Sequence, residues 1–192
     1  MSLAIVYTRA ALGIEAPLIT VEVHLSNGLP GLTMVGLPET TVKEARDRVR
    51  SALINSGYAF PAKKITINLA PADLPKEGGR YDLPIALALL VASEQLNTTR
   101  LNQYEFVGEL ALTGGLRGVP GAIPSAMEAI KAGRRIVVSS DNAAEVGLIG
   151  GSDCLVADHL QEVCAFLAGQ TSLSPPLAEA PARDERYEDL LD

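Results

Sequence analysis

Strand and helix patterns alternate along residues 1–168 and indicate an α+β fold, a mixed α/β sandwich. Strict apolar–polar alternation at 17–25 and 64–69 marks half-buried strands, whereas 39–56 repeats its apolar residues at helical spacing. A third segment, Leu83–Ala92, is apolar on every face and has to be buried on every face. Apolar residues make up 47% of the chain and aromatics 4%, with no Trp, so the predicted core is aliphatic.

In order, Ala4–Ala10 and Pro17–Leu25 read as strands, the second with Val21, Val23 and Leu25 inward and Thr20, Glu22 and His24 outward. A turn at Gly28–Gly31 leads to a short strand, Leu32–Leu37. Glu39–Ser56 is a helix with Val42, Ala45, Val49, Ala52 and Leu53 on one face, stopped by Gly57. The 64–69 strand, a Pro/Gly-rich loop at 71–82 and a helix at 82–96 follow, with Asp82 placed as the helix N-cap. Glu105–Leu110 reads as a strand, Thr113–Gly118 as a Gly-rich turn, Ile123–Ala132 as a helix and Arg135–Ser139 as a buried strand. A short helix at Ala143–Leu148, a strand at Cys154–Ala157 and a helix at His159–Leu167 complete the unit.

The net charge of -7 argues against a generally basic surface. Residues 170–192 hold six acids and two bases among prolines, serines and alanines, a composition that cannot bury apolar surface. We therefore expect an acidic linker over 169–192, leading to a further module. The longest apolar run is about half the ~20 residues needed to cross a membrane, and no basic-then-apolar leader opens the chain. Two cysteines suggest a reducing compartment, so a cytoplasmic setting is expected.

Lys76-Glu77-Gly78-Gly79-Arg80-Tyr81-Asp82 and Val107-Gly108-Glu109-Leu110-Ala111-Leu112-Thr113-Gly114-Gly115-Leu116-Arg117-Gly118-Val119-Pro120-Gly121 resemble the N-terminal domain of the ComM/YifB family of Mg-chelatase-like AAA+ ATPases. Ala10-Ala11-Leu12-Gly13-Ile14 and Gly31-Leu32-Thr33-Met34-Val35-Gly36-Leu37-Pro38 fit the same family, so the resemblance covers nearly all of 1–168. It implies the fold of the Lon proteolytic domain, seen also in domain 2 of a ribosomal small-subunit protein. It also implies an AAA+ module after the linker that binds ATP and Mg2+, a homo-hexameric ring, and work on DNA, branched DNA included, as in branch migration during natural transformation.

A Lon-type protease carries Lys-Asp-Gly-Pro-Ser-Ala-Gly at this loop, with a later lysine as base. The resemblance places Arg80 at the serine position and Ile123 at the lysine position. A permanently charged guanidinium is no nucleophile and an isoleucine takes no proton, so no catalytic residue is assigned. Two roles for the loop remain: Lys76 and Arg80 contact phosphate or an acidic partner, or Arg80 pairs with Glu77 or Asp82 and orders the loop.

Lys43, Arg46 and Arg50 form a basic stripe on the 39–56 helix, with Lys63 and Lys64 downstream. A DNA-facing stripe and a solvated face paired with Glu39 and Asp47 are the two readings. Cys154, His159 and Cys164 are evenly spaced but have no fourth ligand near them in sequence, and Cys164 falls on an apolar helix face, so no metal is assigned. The Gly114–Gly118 stretch lacks the lysine and hydroxyl of a phosphate loop and reads as a hairpin turn, with Glu109 as a candidate acid ordering it. Three functions follow: an accessory domain of a ComM/YifB-type ATPase, a chelatase-type motor acting on a metal-insertion partner, and a Ser–Lys peptidase that Arg80 and Ile123 disfavour.

Overall fold

The computed structural model describes residues 2–149 and 151–176. Seven strands form one mixed sheet: β1 (Leu3–Arg9), β2 (Leu18–Ser26), β3 (Gly31–Val35), β4 (Lys64–Ala70), β5 (Tyr104–Phe106), β8 (Arg135–Ser139) and β9 (Cys154–Ala157), in the order β3-β4-β2-β1-β5-β8-β9. β2 pairs antiparallel with both β1 and β4, and every other pairing is parallel, so β2 alone runs against the rest. A two-stranded hairpin, β6 (Glu109–Leu110) and β7 (Leu116–Arg117), stands apart.

Patterning explains the layers. In β2 and β4 every second residue is buried, and these strands cover one face with helices and leave the other open. β8 has an unbroken apolar centre, Ile136–Val138, because both its faces are covered. Val137 joins the main core, while Ile136 and Val138 join a second core with Ala122, Ala126 and Ala129 of helix α3 (Ala122–Lys131). Helix α2 (Asp82–Ala92) has ten buried residues and lies between β1–β2 and helix α1 (Glu39–Asn55), as its all-round apolarity requires. Helices α4 (Ala143–Val146) and α5 (Leu160–Leu167) are the remaining helices longer than one turn of 3-10 among the described residues.

Three expectations are corrected. Asp82 is not the N-cap of α2 but its first residue, with Tyr81 flanking and no side-chain cap bond. The helix stops at Ala92 because Glu94 takes φ 60° and Gln95 and Leu96 both donate back to the Leu90 carbonyl. The strand expected over 105–110 breaks in two, since Gly108 leaves the sheet, donates to the Arg80 carbonyl and accepts from Leu83 N–H. Of the segment expected as a linker, Ser174 still pairs with Val156 on the β9 edge, and residues 177–192 lie outside the described residues.

Gly36, which ends β3, has φ +99°, and a Cβ there would lie 2.3 Å from the Leu69 carbonyl oxygen. Backbone cannot retreat as a side-chain tip can. Gly36→Ala is expected to cost at least about 2 kcal/mol, read as a lower denaturation midpoint.

Candidate functional site

The loop between β4 and α2 is a frame built from inward cations. Arg80 is 4% exposed. Its Nε donates to the Arg9 carbonyl (2.9 Å), Nη1 to the Pro120 carbonyl (2.6 Å) and Nη2 to Ser125 Oγ (2.8 Å). One guanidinium thus ties the loop to the end of β1, to the turn before α3 and to α3 itself. Lys76, 2% exposed, donates its Nζ to the carbonyls of Pro71 and Leu74 within its own loop. The expectation that Lys76 and Arg80 offer themselves to phosphate or an acidic partner is therefore corrected: their donors point into the fold and are engaged by neutral oxygens. Arg80 pairs with neither Glu77 nor Asp82. Burial pulls the pKa of Arg80 below its ordinary value.

From α3, the residue that meets Arg80 is Ser125, buried completely. Ile123, expected from the resemblance at the protease lysine position, is half-buried one residue inside the helix start.

Two ion-pair groups surround this frame. On one side Glu105, wholly buried, receives Arg9 Nε (2.6 Å) and Nη2 (2.9 Å) and Arg134 Nη1 (3.1 Å), and the Arg134 guanidinium lies 4.0 Å from the Tyr7 ring centroid. On the other side Arg48 of α1 reaches Asp82, with Nε to Oδ2 at 2.7 Å, and Asp82 Oδ2 also accepts from Leu110 N–H at 3.1 Å. Asp82, not Glu109, orders the hairpin; Glu109 stands 3.7 Å from Arg48. Burial pushes the Asp82 carboxyl up to about 6 despite the opposing pull of Arg48.

With those cations consumed, exposed positive charge is found on α1. Lys43, Arg46 and Arg50 are all exposed, as is Lys63. Lys43 forms no ion pair with Glu39 or Asp47 among the described residues; the nearby contacts are Arg46–Asp47 and Arg48–Glu44, each at a loose 3.9 Å. Arg46, Arg50 and Lys63 border a groove of about 470 Å3 between α1 and the β3–β4 edge. Its lining includes Leu32, Ile65 and Phe60, and the Arg50 guanidinium lies 5.5 Å from the Phe60 ring centroid. Sequence reasoning found the stripe but missed Phe60, although an aromatic ten residues after Arg50 in a Pro-flanked loop was the available signal.

Cys154 and Cys164 are buried in different cores, and no group of three or more metal-ligating side chains occurs among the described residues. His159 is the N-cap of α5: Nδ1 accepts from Gln161 N–H, so Nε2 carries the proton and donates to the Thr113 carbonyl at 3.0 Å. At Gly114, in the β6–β7 turn, a Cβ would meet Ser56 Oγ at 2.3 Å and the His159 ring at 2.8 Å, so the turn is packed shut and is no phosphate cradle. Among the described residues no helix is long and apolar enough to cross a membrane.

The family model for subunit ChlI of Mg-chelatase matches residues 21–142. YifB of Salmonella typhimurium is 74% identical over the whole chain, which covers 38% of that relative. YifB of Escherichia coli is 77% identical over 92% of the chain, and competence protein ComM of Haemophilus influenzae 60% identical over 93%; each is covered over 35% of its own length. The chain thus spans little more than a third of the curated relatives it matches.

Proposed function

From the premise that this chain belongs to the Mg-chelatase ChlI family, in its ComM/YifB branch, we propose that it is a non-catalytic N-terminal domain of a Mg-chelatase-like ATPase and contacts DNA. The observation that carries this reading is the division of labour among its cations. Arg80, at the position of a protease nucleophile, is spent on holding loop, strand and helix together, while Lys43, Arg46, Arg50 and Lys63 are exposed, the last three around one groove. The name of the Haemophilus relative supports a role in competence.

The residues present do not suit ATP. The glycine-rich turn is filled by Ser56 and His159, and no Gly-x4-Gly-Lys-Ser/Thr occurs in the sequence. ATP and Mg2+ are therefore assigned to an AAA+ module outside these residues, and this domain to ring assembly and DNA contact in a cytoplasmic homo-hexamer that drives branch migration. An acidic segment over 169–192 would join the two. A chelatase-type motor acting on a metal-insertion partner is the competing reading, and DNA binding by the domain separates them.

The test is electrostatic. Changing Lys43, Arg46 and Arg50 together to Gln is expected to weaken duplex binding and to flatten the slope of log affinity against log salt by about 2–3. An unchanged slope removes the stripe from the DNA interface.

A further inference from the structure

A stripe that met only phosphates would need no cavity behind it. Here the cations stand around a concave groove of about 470 Å3, within the roughly 300–1,000 Å3 of small-molecule sites. Its walls are of two kinds. Arg46, Arg50 and Lys63 supply three positive charges against the single carboxylate of Asp47, while Leu32, Ile65 and Phe60 supply an apolar floor that offers a phosphate nothing. Phe60 is anchored by packing against the main core and is partly exposed at the groove, so its ring is already ordered before any ligand arrives. The Arg50 guanidinium lies over that ring, 5.5 Å from its centroid, so a base stacked on Phe60 takes the place of this exposed side chain and leaves its charge to the adjoining phosphate. At the rim, Leu29 precedes Pro30 of the lining and is 90% exposed.

Resting on the DNA-contact reading above, we propose that this groove seats an unstacked base of a single-stranded nucleic acid. The base lies against Phe60 on the apolar floor, and Arg46, Arg50 and Lys63 hold its flanking phosphates. Duplex DNA keeps its bases stacked inside and presents only phosphates to such a groove, so it uses the rim alone. Aromatic platforms inside cationic grooves discriminate in this way because every base has a π face.

Anisotropy with the 192-residue chain tests the proposal, using a short fluorescein-labelled oligo(dT), a duplex of the same length and a glutamate-rich peptide. Oligo(dT) is expected to bind tightest. Phe60→Leu, which keeps an apolar side chain but removes the ring, is expected to weaken oligo(dT) about tenfold and the duplex less than about twofold. Phe60→Tyr, which keeps the ring, is expected to retain binding, with thermal melts confirming that all variants are folded. Full oligo(dT) affinity in a folded Phe60→Leu, with loss in Arg46→Gln/Arg50→Gln, overturns the base seat and leaves the phosphate contact standing. Nucleic-acid binding indifferent to both changes overturns the two together. Preference for the acidic peptide over oligo(dT) assigns the groove to a protein ligand and overturns the proposal.

Discussion

Glu105→Gln is expected to lower the stability of the chain by about 3–5 kcal/mol, the usual cost of removing one partner from a buried ion pair. Glu105 is 0% exposed and is the shared acceptor of Arg9, itself 6% exposed, and Arg134. An amide of the same shape keeps the packing and cancels the charge, so the loss measures electrostatics and not a cavity. What remains is a cluster of cations with nothing to balance them, since Arg80 also lies nearby and forms no ion pair among the described residues. The Arg9 carbonyl accepts from Arg80 Nε, so disturbance of Arg9 passes straight to the loop at 71–82. Arg134→Gln should be milder. That side chain is 22% exposed, and Arg9 still neutralises Glu105. Denaturant melts at neutral pH check both, with a shift in midpoint at constant m-value as the expected signature. A loss below about 1 kcal/mol for Glu105→Gln would show that water already reaches the pair.

Glu105 and Asp82 also mark where the sequence stops being informative. Local rules placed the sheet well. The period-two strands lie with the expected residues inward, β8 and β9 have the expected bounds, and the all-apolar α2 is buried on nearly every side. Each of those readings needs only a face, and periodicity reports faces. The site needs partners. Arg48 and Asp82 are 34 positions apart and Arg9 and Glu105 are 96 apart, and nothing in either segment announces the other. Asp82 looked like a cap because an acid before an apolar helix normally caps it; the distant Arg48 and Leu110 N–H took the carboxylate instead. For Lys76 and Arg80 the sequence offers a contact with phosphate or an acidic partner, or a loop ordered by Arg80 with Glu77 or Asp82. Neither reading foresees neutral carbonyls as the partners. A Gly/Pro-rich loop with charges reads as exposed until one sees how many carbonyls converge on it. The α1 stripe was legible because exposure on a helix is again a matter of face, whereas the groove behind it depends on a loop folding back to place Phe60 opposite Arg50.

Asp82 gives the second large effect, and it appears as a pH dependence. In the unfolded chain its carboxyl ionises near 3.8, and in the folded chain burial holds it protonated up to about 6. The folded state therefore prefers the neutral acid. Its stabilising contribution is complete below the lower value and is lost as pH rises through the upper one. A shift of about two units corresponds to roughly 3 kcal/mol. Asp82→Asn carries a neutral group at every pH, so the variant should gain on the native chain by up to about 3 kcal/mol between about pH 4 and pH 7. Paired urea melts across that range isolate the effect, because the other carboxylates cancel in the difference. A flat difference would mean that Arg48, at 2.7 Å, outweighs desolvation and keeps the carboxylate ionised throughout. Arg48→Met separates the two causes. Removing the guanidinium leaves desolvation and the nearby Glu109 pushing the same way, against only the Leu110 N–H, so the pH at which stability is lost should move upward. The same pair fastens α1 to the start of α2, so the helix that carries the basic stripe loses this tie in Arg48→Met.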